Sequence, residues 1–219
     1  MTRPTDGIDG GMPWSDPTGE PVPDSSRRMM EAAVDAFAER GYHATTTRDI
    51  ATRVGLSPAA LYVHFPSKQA LLTQISRLGH EAAVELVENS MEGIDDPVGR
   101  LRAVIAAFAA WHAEHHLVAR VVQHELSALA DDDRRSVIAL RQKIERQVEL
   151  QLEAGVAAGT MEVADPRAVT RALLSLSVDV ARWYDPKGKE TPEGIGALYA
   201  DLATRMVGAE LPDPLTDPS

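Results

Sequence analysis

The chain of 219 residues contains no cysteine, which excludes disulfides and thiolate metal sites and is compatible with a reducing compartment. No apolar run approaches the ~20 residues that a membrane-spanning helix needs. The first residues also lack the apolar core of a secretory leader. The expectation is a cytoplasmic protein without membrane contact. Signatures of catalysis and cofactor binding are missing too. There is no GxSxG elbow, and serine, histidine and aspartate are scattered with no base beside a nucleophile. There is no P-loop and no GxGxxG; Gly7, Gly10 and Gly11 lie in a stretch without periodicity. The chain is therefore expected to be no enzyme and to need no cofactor. Convincing period-two alternation is absent, so the expected fold class is all-α.

What is present is ordinary for a globular protein: 44% hydrophobic and 25% charged residues, enough to bury a core. Residues 1–24 carry Pro4, Pro13, Pro17, Pro21 and Pro23 with no helical or strand period, and read as a disordered arm. That arm is acidic, with Arg3 as its only cation and Trp14 an isolated aromatic, unlike the basic arms that enter minor grooves. Asp24, Ser25 or Ser26 can cap a first helix reaching Arg40, with Met30, Ala33, Val34, Phe37 and Ala38 on one face and Gly41 as its stop. A long helix is expected from Lys68 to Met91. Further helices are expected over 98–115, 117–130, 133–158, 166–184 and 192–207, followed by a frayed tail at 210–219.

Between these helices lies Thr45 to Lys68, TTTRDIATRVGLSPAALYVHFPSK. Thr46 or Thr47 can cap a short helix whose Ile50, Ala51 and Val54 share a face. Gly55 supplies a turn, and Leu56 is placed to plug the angle. Ser57 is a good N-cap, and Pro58 suits the first helical position. A second helix then runs to His64, with Leu61 and Phe65 inward, and Pro66 ends it. This reads as a helix-turn-helix whose second member is slim enough for the major groove. The same signals also mark an ordinary helical hairpin, in which Tyr62 and His64 would be plain surface residues.

The net charge of −11 is unevenly spread. From Arg27 to Leu72 there are six basic and four acidic residues, a balance of +2, so the rest of the chain carries −13. That asymmetry favours a defined docking orientation on a polyanion without itself arguing for binding.

The segment Arg27 to Leu72 resembles the DNA-binding domain of the TetR family of transcriptional regulators. The resemblance rests on AAVDAFAERGYHATTTRDIA and VGLSPAALYVHFPSKQALL, above all on the LYxHFxxK element; Ala59 stands where family members often carry glycine. It implies a helix-turn-helix domain at 25–72 and a helical ligand-binding and dimerisation domain at 73–209. It also implies binding to a double-stranded operator as a homodimer and control by a small-molecule effector. Among the DNA-binding residues Thr46, Thr47, Arg48, Ser57, Pro58, Ala59, Ala60, Tyr62, His64 and Lys68, those expected at phosphates are Thr47, Tyr62, His64 and Lys68. Arg48, Pro58, Ala59 and Ala60 are expected to face bases, with Arg48 suited to a guanine.

By the same resemblance, the last two helices form the dimer interface, through Leu173, Leu176 and Val180 on one and Ile195, Leu198, Leu202 and Met206 on the other. Phe108, Trp111, Val121, Val122, Ile144, Val148 and Trp183 are candidates to line an effector cavity, although periodicity cannot separate a wall from a filling. The run RWYDPKGKETPE resembles regulators of lipid and steroid breakdown that sense acyl-coenzyme A esters, suggesting a lipid-derived or CoA-linked effector. His112, His115, His116 and His124 include an i, i+4 pair that can chelate zinc, but histidines also gather at helix C-termini for electrostatic reasons, and no metal is expected. A helical scaffold that binds no DNA remains the alternative.

Overall fold

A computed structural model describes residues 22–211; most of the expected arm and tail lies outside these. The described residues contain helices and no strand. The helices are α1 (Asp24–Arg40), α2 (Thr47–Arg53), α3 (Pro58–His64), α4 (Lys68–Asn89), α5 (Pro97–Glu114), α6 (His116–His124), α7 (Asp131–Ala157), α8 (Pro166–Trp183) and α9 (Pro192–Met206). None is long and apolar enough to cross a membrane.

Four of these helices start by one local rule. Ser57, Asp96, Asp165 and Thr191 each precede a proline, and each side chain accepts the backbone N–H three residues on. The cap satisfies a donor the helix cannot, and proline occupies a position where no donor is missed. Helix α1 differs from expectation: Pro23 precedes it with no side-chain cap, and Asp24 sits inside its first turn, paired with Arg27.

The expected helix over 117–130 is broken. It ends as α6 at His124, and a short 3-10 turn covers Leu126–Ala128. At the break, the Glu125 carboxylate turns back to accept the Tyr42 N–H at 3.1 Å.

Helices α1 to α3 pack around Met30, Phe37, Ile50, Leu61 and Phe65. Each such buried side chain is worth about 1.5–3 kcal/mol. Leu56, expected to plug the angle between α2 and α3, is instead 39% exposed, and the plug is Leu61, which is fully buried. This core does not stop at the expected boundary between residues 72 and 73, which falls inside α4. Val118, Val121 and Val122 of α6, together with Leu129 and Val137, belong to the same apolar cluster.

A second cluster joins α4, α5, α7, α8 and α9 around Leu101, Val104, Ile105, Val148, Leu152 and Leu173. Helices α5 and α9 lie so close that a methyl group on Gly196 would sit 2.6 Å from the Ala106 carbonyl oxygen. Glycine is required there by space, because no side-chain carbon tolerates such a contact with backbone.

Candidate nucleic-acid interface and internal cavity

The helix-turn-helix is fixed by local chemistry. Thr46 and Asp49 form a reciprocal capping box: the Asp49 N–H donates to Thr46 Oγ1 at 3.2 Å and the Thr46 N–H donates to Asp49 Oδ2 at 2.8 Å. Gly55 turns the chain at φ +71°, in the left-handed region where glycine is strongly favoured. Ser57 accepts the Ala60 N–H at 3.2 Å. The Thr47 and Tyr62 hydroxyls lie 3.2 Å apart, fastening α2 to α3.

With Leu61 and Phe65 inward, α3 leaves Ala59, Tyr62, Val63 and His64 exposed, while Pro58 and Ala60 are half-buried. Val63 is the residue the sequence reading missed, and it is 82% exposed. Its direction was legible: two positions past buried Leu61 is about 200° around the helix. Ala59 and Val63, four apart, give the outer face a small apolar strip beside the Tyr62 hydroxyl. His64 Nδ1 lies 3.2 Å from Ser26 Oγ.

The basic residues of this domain divide clearly. Arg27 pairs with Asp24 and Glu31, Arg40 with Asp49, and Arg53 with Glu39. Arg48 is exposed and, among the described residues, pairs with no carboxylate. Lys68, expected at a phosphate, is committed inward. Its Nζ donates to the carbonyl oxygens of Tyr42 at 2.6 Å and Thr45 at 2.7 Å and lies 4.1 Å from the Tyr42 ring centroid. Burial pushes its pKa down. The Tyr42 carbonyl already accepts the Thr45 N–H at 3.2 Å in the turn, whereas the ammonium is the donor to the Thr45 carbonyl and a second donor to that of Tyr42, tying α4 to that loop.

A cavity of about 350 Å³ opens among α4, α5, α6, α7 and α8. Phe108, Trp111, Val122 and Ile144 line it as expected. Val148 and Val121 do not, since both are taken up by solid core. Trp183 does not either: it ends α8 with its side chain 42% exposed, away from the cavity.

The lining residues that went unforeseen are mostly polar: His80, Gln123, Arg141, Glu145, Arg171 and Ser175. A signal existed, because Arg141 follows Val137 by four and precedes Ile144 by three, which sets a charge on the buried stripe of α7. His80 Nδ1 is 2.7 Å from the Ser76 carbonyl oxygen, so it carries the proton and donates. Nε2 is then the acceptor, taking the Arg141 Nε–H at 3.0 Å. Burial pushes His80 down to about 4, with Arg141 adding to the effect. His112, donating from Nδ1 to the Phe108 carbonyl at 2.7 Å, is also held at about 4 by burial. Both rings are neutral at pH 7.

The four histidines His112, His115, His116 and His124 do not converge on one point. His116 Nδ1 donates to the Ala113 carbonyl at 3.0 Å and His124 is exposed at the end of α6. No group of three or more acidic or histidine side chains among the described residues is gathered to hold a metal ion.

On α8 and α9 the expected interface stripes split. Leu173, Val180 and Ile195 are buried within the protomer, whereas Leu176, Leu198, Leu202 and Met206 are exposed, Leu198 by 56%.

Comparison with known proteins agrees with this geometry. Residues 29–75 match the family described as bacterial regulatory proteins, tetR family, and residues 95–207 match the tetracyclin repressor-like C-terminal domain. The chain belongs to the TetR family. It is a DNA-binding transcriptional regulator. The HTH-type transcriptional repressor KstR2 of Mycobacterium tuberculosis is 31% identical over 179 residues, covering 80% of this chain and 90% of that protein. A tetR-family regulatory protein from Rhodococcus RHA1 is 34% identical with a TM-score of 0.81, covering 87% of this chain and all (100%) of that one. AibR in complex with isovaleryl coenzyme A and operator DNA shares the fold, at 24% identity and a TM-score of 0.75 over 85% of this chain and 100% of that one.

Proposed function

We propose that this TetR-family regulator is a cytoplasmic homodimeric repressor that leaves its operator when a small apolar or acyl-CoA-type effector enters the cavity. The observation that carries this reading is the shared framework of cavity and reading head. Helix α6 contributes Ala119, Val122 and Gln123 to the cavity, and just past its end Glu125 holds the Tyr42 N–H in the loop that leads into the helix-turn-helix. Helix α4 contributes Gly79, His80 and Ala83 and begins at Lys68, whose ammonium secures the same loop. Any ligand that reshapes the cavity bears on two struts that end at the DNA-binding unit. The ligand must bind the released geometry better than the operator-bound one, or it shifts nothing.

In this reading Arg48 donates to guanine O6 and N7, and Thr47, Tyr62 and His64 meet phosphates. Pro58, Ala59, Ala60 and, added by the fold, Val63 pack against base edges and thymine methyls, while Thr46 and Ser57 hold the helix starts. One recognition helix reads only a few base pairs, which a two-fold dimer on a near-palindrome remedies. The outward row Leu176, Leu198, Leu202 and Met206 supplies the apolar surface for pairing. KstR2, a repressor by name, supports the sign of regulation. The cavity lies at the small end of ligand sites, ~300–1,000 Å³, and suits an acyl chain or compact ring system.

The test is a gel shift with the promoter beside the protein's own gene, repeated with acyl-CoA esters. Release of bound DNA by an ester is expected. Leu202→Glu is expected to shift sedimentation to monomer and to abolish the shifted band. A dimer that survives Leu202→Glu with full operator affinity would refute the assigned interface, and DNA that no ester releases would refute the effector class.

A further inference from the structure

Arg141 is a poor choice for a cavity wall unless something pays for its charge. Burial depresses its pKa, with Glu145 acting in the opposite sense from a distance, and among the described residues no carboxylate lies within ion-pair reach of its guanidinium. Its protein partners are neutral: His80 Nε2 at 3.0 Å and, more weakly, the Val122 carbonyl at 3.4 Å. Neither removes the charge, and Arg141 is half-buried, so its guanidinium gives up part of its hydration with no counter-ion in return, which is unfavourable. Nη1 has no protein acceptor among the described residues. The other charged residues lining the cavity, Arg171 and Glu145, are exposed, and His80 is a neutral acceptor. The cavity is thus net positive inside a chain of net charge −11.

We propose that the cavity is built for a ligand with an apolar body and an anionic oxygen group, and that Arg141 binds that anion while His80 aims it. This rests on the cavity being the effector site. His80 is a positioning residue. Its tautomer is fixed by Ser76, so Nε2 always presents a lone pair to Nε, which spends that donor and leaves the Nη1 end of the fork for the ligand. The anion is either the carboxylate of a free acid or a phosphate of a coenzyme A thioester; both accept from a guanidinium in the same planar way.

The experiment measures binding by calorimetry on the full chain with octanoate, decanoate and dodecanoate, their methyl esters and their coenzyme A thioesters. Acid or thioester is expected to bind on the order of tenfold to a hundredfold tighter than the methyl ester, the worth of a charge-assisted hydrogen bond. Acid above both others identifies a carboxylate ligand. Thioester preference, with acid no better than ester, identifies the phosphate. Arg141→Gln is expected to erase either preference and His80→Leu to weaken it. His80→Gln, which keeps an acceptor near the position of Nε2, is expected to retain it. Methyl esters binding as tightly as both anionic forms overturn the proposal while leaving the cavity as effector site, and so does an undiminished preference in Arg141→Gln. The wild-type comparison stands even if a variant fails to fold. Wild-type protein that binds none of the three series overturns the effector reading itself, and this proposal with it.

Discussion

Acidification should destabilise this protein well before its carboxylates titrate. His80 and His112 are buried neutral, each with its pKa pushed by burial from 6.5 to about 4. Between those values the unfolded chain takes up protons that the folded chain refuses. The stability they protect is complete above about pH 6.5 and falls as pH drops towards about 4. For a shift of this size the linkage gives about 2 kcal/mol lost per histidine at about pH 5. Together that is on the order of 4 kcal/mol, a large share of the ~5–15 kcal/mol that holds a typical domain. His115 and His116, also shifted down chiefly by burial, act in the same sense. Asp35, whose pKa burial raises, acts in the opposite sense at lower pH.

The assay is urea unfolding followed by circular dichroism at several pH values between about 7 and about 5. The double variant His80→Gln, His112→Asn removes both titrating rings while keeping an acceptor near His80 Nε2 and a donor near His112 Nδ1. Wild type is expected to lose stability steeply over this window, and the double variant to lose about half as much or less. Equal slopes for the two proteins, or a flat wild-type profile, would refute the assignment of neutral buried rings.

Two further outcomes follow from packing. Lys68→Met leaves the Thr45 carbonyl without its ammonium donor and the Tyr42 carbonyl with only the Thr45 N–H, and should lower stability by about 1–3 kcal/mol; in gel shifts the salt dependence of operator binding should stay unchanged, whereas a slope flattened by about one would mark Lys68 as a phosphate contact. Gly196→Ala forces α5 and α9 apart at the Ala106 carbonyl and should cost about 1–3 kcal/mol in thermal unfolding; an unchanged midpoint would mean that the helices separate freely.

The parts of this fold that were legible in the sequence are those decided locally. Ser57–Pro58, Asp96–Pro97, Asp165–Pro166 and Thr191–Pro192 announce helix starts because cap and proline act within one turn. Ile50, Leu61 and Phe65 reveal their inward face by spacing alone. What the sequence did not disclose depends on partners distant in the chain. The charge of Lys68 is visible in the sequence and points to a phosphate, whereas the carbonyls that capture it lie 26 and 23 positions away. The stripes of α8 and α9 are apolar all along, and only packing against the protomer separates buried Leu173 and Val180 from exposed Leu176. Trp183 and Val148 carry the right chemistry for a cavity wall, yet one ends a helix in solvent and the other fills a core. Arg141 and His80 do not show in apolar periodicity; they interrupt the apolar stripes of α7 and α4, and a polar residue on a buried stripe marks a cavity wall better than another apolar one does.

The continuity of the first apolar cluster has a practical consequence. Met29, Phe37 and Leu61 share one core with Val118, Val121 and Val137, so no clean seam runs between the first three helices and the helices that follow. A cut after the helix-turn-helix would strip α1 of its α6 neighbours and leave valine-sized gaps on a domain with little surface to spare. Grafting the helix-turn-helix segment onto another helical domain therefore means transplanting α6 and the start of α7 with it, or rebuilding that contact in the recipient. The modular unit for engineering, and for recombination between relatives, is a discontinuous one: the first three helices plus a strut that the chain delivers some eighty residues later, as the Tyr42 to Glu125 separation of 83 positions records.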